Sequence, residues 1–132
     1  MKIIKLILLL LAISIVFIGC DSKTDTPDKE VPAISATDLT IDEAKELITN
    51  QDNLLILDVR SKEEFDSGHI EGAVLIPLDE LENRLDEIED YKDDPILVYC
   101  RSGNRSSKAV RILLNNEFTE IYHMNQGYMN WK

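Results

Sequence analysis

"PILVYCRSGNRSSKAVRILLNN", residues 95–116, decides the fold. Its first five residues, Pro95 to Tyr99, read as a short buried strand: apolar, partly β-branched and opened by proline. Its last part, Ser106 to Asn116, has helical period. Ala109, Ile112 and Leu113 share one face, and Lys108, Arg111 and Asn115 lie towards another. Cys100 therefore stands at a strand–loop–helix junction, where backbone N–H groups converge as the helix begins. Such a junction holds an anion, and a thiolate is one.

Working outward, the flanking segments alternate in the same way. "TIDEAKELITN" (40–50) places Thr40 and Glu43 as a capping box and Ile41, Ala44, Leu47 and Ile48 on one helical face. "NLLILDV" (53–59) is a continuous apolar strand, the kind buried on both faces of a parallel sheet. "SKEEF" (61–65) repeats the capping box with Ser61 and Glu64, and Gly68 ends that short helix. "AVLIP" (73–77) is another strand, and "LDELENRLDEI" (78–88) predicts a helix with Leu78, Leu81, Leu85 and Ile88 inward. "EIYHM" (120–124) is the last strand, before "NQGYMNWK". The alternation predicts an α/β domain with a mainly parallel central sheet and helices on both faces. Cys100 falls at the carboxyl end of a strand, where open α/β sheets place ligands.

The start of the chain has another character. Residues 1–19 carry Lys2 and Lys5, then an apolar run from Leu6 to Ile18 broken by Ser14. At about 1.5 Å per residue that run spans roughly 20 Å, short of a ~30 Å hydrocarbon core and suited to a secretory segment. "FIGC" resembles the lipobox of bacterial lipoproteins, although leucine is usual where Phe17 stands. The resemblance implies cleavage before Cys20, lipid on Cys20 and attachment to a membrane outside the cytoplasm; an uncleaved anchor is the alternative. Asp21 resembles the inner-membrane retention signal of Gram-negative lipoproteins, implying the periplasmic face of that membrane. In a single-membrane cell the site is the outer surface. Residues 20–38, polar and proline-broken, read as the lipid attachment site and a flexible linker, with the folded domain over 39–132.

With Cys20 lipidated, Cys100 is the one free thiol, which excludes a structural disulfide and a C-x-x-C redox pair. Cys100, His69 and His123 are scattered without metal-ligand spacing, and no cofactor is implied. The net charge of −11 becomes −13 once the two lysines of the first nineteen residues are removed, which argues against nucleic-acid binding. Against that background Arg101, Arg105, Lys108 and Arg111 run around Cys100 without an acid. One local positive site on a negative body suits a small anionic substrate.

Three segments in order resemble the rhodanese family, specifically a single-domain rhodanese. "LLILDVRSKEEFDSGHIEGAVLIPL" carries Asp58, Val59, Arg60, Glu64, Phe65, Gly68, His69, Ile70, Gly72, Ala73 and Pro77 of its first signature. "VYCRSGNRS" resembles its active-site loop and "NQGYMNW" its closing segment, where Gln126 replaces the first of two common glycines. The resemblance implies a sulfurtransferase in which Cys100 thiolate takes the outer sulfur of a donor such as thiosulfate or a persulfide. A thiol or cyanide then accepts it. Arg101, Ser102, Gly103, Asn104, Arg105 and Ser106 would hold the substrate or the developing charge. Asp58 and Arg60 read as a structural pair, His69 as a hydrogen-bonding structural residue, and Tyr128 and Trp131 as packing. Two other readings compete. A phosphatase or arsenate reductase needs five residues between cysteine and arginine, and four separate Cys100 from Arg105. A tethered sulfur-carrier or partner-binding module would keep the cysteine without thiosulfate turnover.

Overall fold

The computed structural model describes residues 35–132. The expected signal segment 1–19, Cys20 and the linker as far as residue 34 lie outside the described residues. Among the described residues no helix is long and apolar enough to cross a membrane.

Five parallel strands form one sheet in the order β1-β5-β4-β2-β3: β1 Thr37–Leu39, β2 Leu55–Asp58, β3 Val74–Leu75, β4 Ile96–Tyr99 and β5 Ile121–Met124. β2 and β4 are buried throughout, as expected of central strands carrying no polar alternation. One face of the sheet packs Leu55, Leu57, Val98 and Ile121 against Ala109 and Leu113 of helix α3, Asn104–Asn115. The other face packs Ile56, Leu97, Tyr99 and Met124 against Ala44 and the half-buried Leu47 and Ile48 of helix α1, Ile41–Asn50. The short helix α2, Lys62–Asp66, follows β2.

Both capping boxes form. Thr40 N donates to Glu43 Oε2 at 2.8 Å, and Ser61 N donates to Glu64 Oε2 at 3.1 Å, with the reciprocal bonds to the two hydroxyls. Two expectations change. The strand β1 includes Thr37 and Asp38, so the fold begins ahead of the expected boundary at Leu39; Asp38 pairs in register with His123. The single helix expected from Leu78 to Ile88 is instead two 3₁₀ segments, Leu81–Asn83 and Leu85–Tyr91. Neither has a side-chain cap, and Arg84 is drawn to Glu80 at 2.7 Å and Glu87 at 2.6 Å among unpaired acids that repel at helical spacing. Leu81 and Ile88 still reach the core.

Candidate active site

Cys100 follows β4 directly and is 1% exposed. Gly103 N donates to its Sγ at 3.1 Å, and Ser106 Oγ lies 3.4 Å from the same sulfur. Burial pushes the Cys100 thiol up. The Ser106 hydroxyl and the amides of Ser106, Ser102 and Gly103 outweigh that, so its pKa falls below the ordinary value. The start of α3 adds its positive end beneath the sulfur.

The closing segment fixes the loop's conformation. Tyr128 N donates to Cys100 O at 2.8 Å and Met129 N donates to Arg101 O at 3.1 Å. In a trans peptide the carbonyl and the next N–H point opposite ways. Pinning these two carbonyls therefore turns the N–H groups of Arg101 and Ser102 away from the clamp. The fit is close: a Cβ on Gly127, at φ +70°, would meet Arg101 O at 2.2 Å. A Cβ on Gly103, at φ +96°, would meet Asn125 O at 2.2 Å. Gln126, in place of a glycine, is accommodated without positive φ in a turn closed by Gly127 N to Met124 O at 3.2 Å.

The expected substrate-binding residues divide into three groups. Arg101, Ser102 and Asn104 are exposed around the mouth. Gly103 and Ser106 are buried, with Ser106 turned to the sulfur rather than to an outside ligand. Arg105 does not stand free over the sulfur as an open anion donor. Its guanidinium is held by Glu64 through a fork, Nη1 to Oε2 at 2.6 Å and Nη2 to Oε1 at 2.8 Å. Bonding to Glu64 raises the Arg105 pKa, burial opposes, and the Glu64 and Cys100 charges add to the rise, so its field reaches the sulfur. Arg105 lowers Glu64 to about 2. Beside the loop opens a depression of about 330 Å³ lined by Arg60, Glu64, Gly68, Arg101, Tyr128 and Met129.

Asp58 and Arg60 form a buried pair, 2.6 Å between Oδ2 and Nη2, and Arg60 also donates to Gly68 O at 2.8 Å. The Arg60 guanidinium lies 4.3 Å from the Tyr128 ring centre. His69 stacks on Phe65 at 3.7 Å and bonds Phe65 O at 2.9 Å, a structural arrangement. Trp131 packs with the α1 face, under Lys45 at 5.4 Å. Sequence reasoning missed three residues here: Glu64 beyond its capping role, Asp38, and His123, whose Nε2 is 2.8 Å from Ser106 Oγ. The available signal was a polar residue two places after Ile121, on the inward-facing side of a strand.

Fold and loop together define an α/β domain built to hold one cysteine as an anion at the end of a central strand. A family profile described as "Rhodanese-like domain" matches residues 40–132, and the chain belongs to that family. It is 42% identical over 76 residues to YqhL of Bacillus subtilis, covering 58% of this chain and 59% of that protein. It is 34% identical over 99 residues to the "Putative sulfur carrier protein YrkF" of the same organism, covering 75% of this chain and 52% of that one. The chain thus spans little more than half the length of these curated relatives. The solved structure titled "Human Single Domain Sulfurtranferase TSTD1" superposes with a TM-score of 0.65 at 25% identity, covering 74% of this chain and 96% of that one.

Proposed function

We propose that this chain transfers sulfane sulfur from a small anionic donor, thiosulfate or a persulfide, to a thiol through a Cys100 persulfide. The observation that carries the reading is a buried sulfur whose amide and hydroxyl donors outweigh the effect of burial. A thiolate so held attacks the donor's outer sulfur; the S–S bond of thiosulfate breaks and sulfite leaves with the electron pair. The new terminal sulfur extends about 2 Å beyond Sγ, towards the exposed Arg101, Ser102 and Asn104. An acceptor thiolate then takes that sulfur and returns Cys100 as thiolate. Cyanide does the same in an assay. The Arg105 fork on Glu64 and the four-residue spacing argue against phosphate or arsenate chemistry.

Full-length protein incubated with thiosulfate should gain one sulfur atom on the Cys100 peptide, lost on treatment with cyanide or dithiothreitol. Folded protein without that adduct, active Cys100 alkylation notwithstanding, rejects thiosulfate as donor. The likeness to a putative sulfur carrier supports a second reading, in which the donor is a protein persulfide and thiosulfate is not turned over. Loading of Cys100 by a persulfide donor alone would select it.

The same reading puts the domain outside the cytoplasm on lipid-modified Cys20, supported by residues 1–21 of the sequence. A fatty-acid analogue should label the wild type and leave Cys20→Ala unlabelled. An unlabelled wild type retaining Met1 points to an uncleaved anchor.

A further inference from the structure

We infer that His123 is the proton acceptor for Cys100, acting through the Ser106 hydroxyl and oriented by Asp38. This rests on reading Cys100 as the nucleophile, and on four heavy-atom contacts that no catalytic loop motif contains. Asp38 Oδ1 lies 2.8 Å from His123 Nδ1, His123 Nε2 lies 2.8 Å from Ser106 Oγ, and Ser106 Oγ lies 3.4 Å from Cys100 Sγ. Gly103 O, 3.0 Å from the same hydroxyl, is the fourth. The four side chains come from β1, β5, α3 and the end of β4, so only the closed sheet aligns them.

The chemistry of each group fixes the direction of the chain. A carboxylate only accepts, so Asp38 keeps a hydrogen on Nδ1 and leaves Nε2 as the open nitrogen of the neutral ring. Ser106 has one hydrogen for three acceptors: Nε2, Gly103 O and the sulfur. With the ring neutral, that hydrogen goes to Nε2, the shortest of the three contacts. The hydroxyl lone pairs are then free to receive the thiol proton. Transfer breaks the S–H bond, forms an O–H bond on Ser106 and passes the hydroxyl's former hydrogen to Nε2. The products are Cys100 thiolate, an intact hydroxyl now donating to sulfur, and an imidazolium donating to Ser106 and Asp38. Charge and protons balance, no heavy atom has to move far, and both end states are fully hydrogen-bonded. In the second half of the cycle, the leaving Cys100 thiolate meets the same imidazolium-backed donor.

The surroundings suit this coupling. His123 is 8% exposed, so the ring is little screened by water. Its register partner on β4 is the apolar Val98, β1 faces it with Asp38, and α3 faces it with Ser106. The nearest full charge bearing on Cys100 is Arg105, whose own partner is Glu64 of α2. Lys108 and Arg111 sit on the exposed side of α3. His123 is thus a positioning residue that also stores the proton.

The test follows the rate of iodoacetamide alkylation at the Cys100 peptide from pH 5 to 10 in full-length protein. His123→Gln, which keeps hydrogen-bonding capacity but cannot hold the proton, should raise the midpoint by about half a pH unit, a threefold change in proton affinity. Asp38→Ala, on the edge strand, should move it the same way by less, and keeps the test available if His123→Gln folds poorly. With Ser106→Ala already present, adding His123→Gln should change nothing further. An unmoved midpoint in both folded His123→Gln and Asp38→Ala overturns the relay. So does an equal His123 effect with and without Ser106, which would make it a through-space field. Since alkylation needs no sulfur donor, a shifted profile without a thiosulfate adduct fails the proposed reaction and leaves the relay standing.

Discussion

β2 and β4 lie side by side and end one register step apart in chemistry. Asp58 is paired with Tyr99, and each strand delivers a buried polar group in its next few residues. On the α1 side, β2 ends in Asp58 and Arg60, two full charges that answer each other and are lidded by Tyr128. On the α3 side, β4 ends in Cys100, which has amide and hydroxyl donors but no paired charge. The first arrangement is closed: every charge is spent inside the protein. The second leaves an anion stabilised but unneutralised, and therefore reactive. Burial is the same at both ends, and what separates structure from chemistry is whether the compensating charge sits within reach.

Breaking each side should give opposite results. Cys100→Ser should remove the persulfide and turnover to background, because a hydroxyl cannot form the intermediate, while changing unfolding free energy by no more than about 1 kcal/mol. Asp58→Ala leaves Arg60 buried without its partner and should destabilise by about 3–5 kcal/mol in urea unfolding, with the Cys100 alkylation profile preserved in whatever remains folded. If the two variants lost stability equally, the contrast between the ends would be wrong.

Gly127→Ala sharpens the comparison, since Gly127 belongs to the clamp on the reactive side. Its Cβ would strike Arg101 O, so we expect a stability loss of about 1–3 kcal/mol and slower Cys100 alkylation at neutral pH. Stability loss with unchanged alkylation would show that the clamp does not orient the loop amides.

The smallest effect concerns the Glu64–Arg105 fork between the two ends. Glu64 sits at about 2 folded against an ordinary 4.5, so its contribution is complete above about pH 4.5 and fades as the pH falls towards 2. Both partners are partly exposed, and about 1 kcal/mol is a fitting scale. Wild type should exceed Glu64→Gln by that amount at pH 7, and the gap should close across this window. A gap constant between pH 7 and 2.5 would mean that the carboxylate charge is not what Arg105 holds.

The parallel α/β plan, both capping boxes and the place of Cys100 were legible because each depends on local pattern: period, cap spacing, a strand running into a helix. The 3₁₀ segments were not, since leucines at spacing three and four fit both helix types and the decision lay with repelling acids and absent caps. β1 escaped because Thr37 to Leu39 gains its identity from pairing with β5, far away in sequence. Glu64 was read correctly as a cap and missed as the partner of Arg105. The same carboxylate does both, and only the second bond spans forty-one positions. His123 and Asp38 came together through strand order, which a linear pattern does not encode.

The clamp also sets a timetable. The loop's carbonyls are held by residues 128 and 129, and its helix packs on β5, which joins β1 to β4. A nascent chain that has made Cys100 but not yet Tyr128 has the thiol without the amides turned towards it. β1, made long before, waits for the same late strand. Reactivity is thus withheld during synthesis and appears in the step that completes the sheet: the nucleophile is the last thing this fold makes.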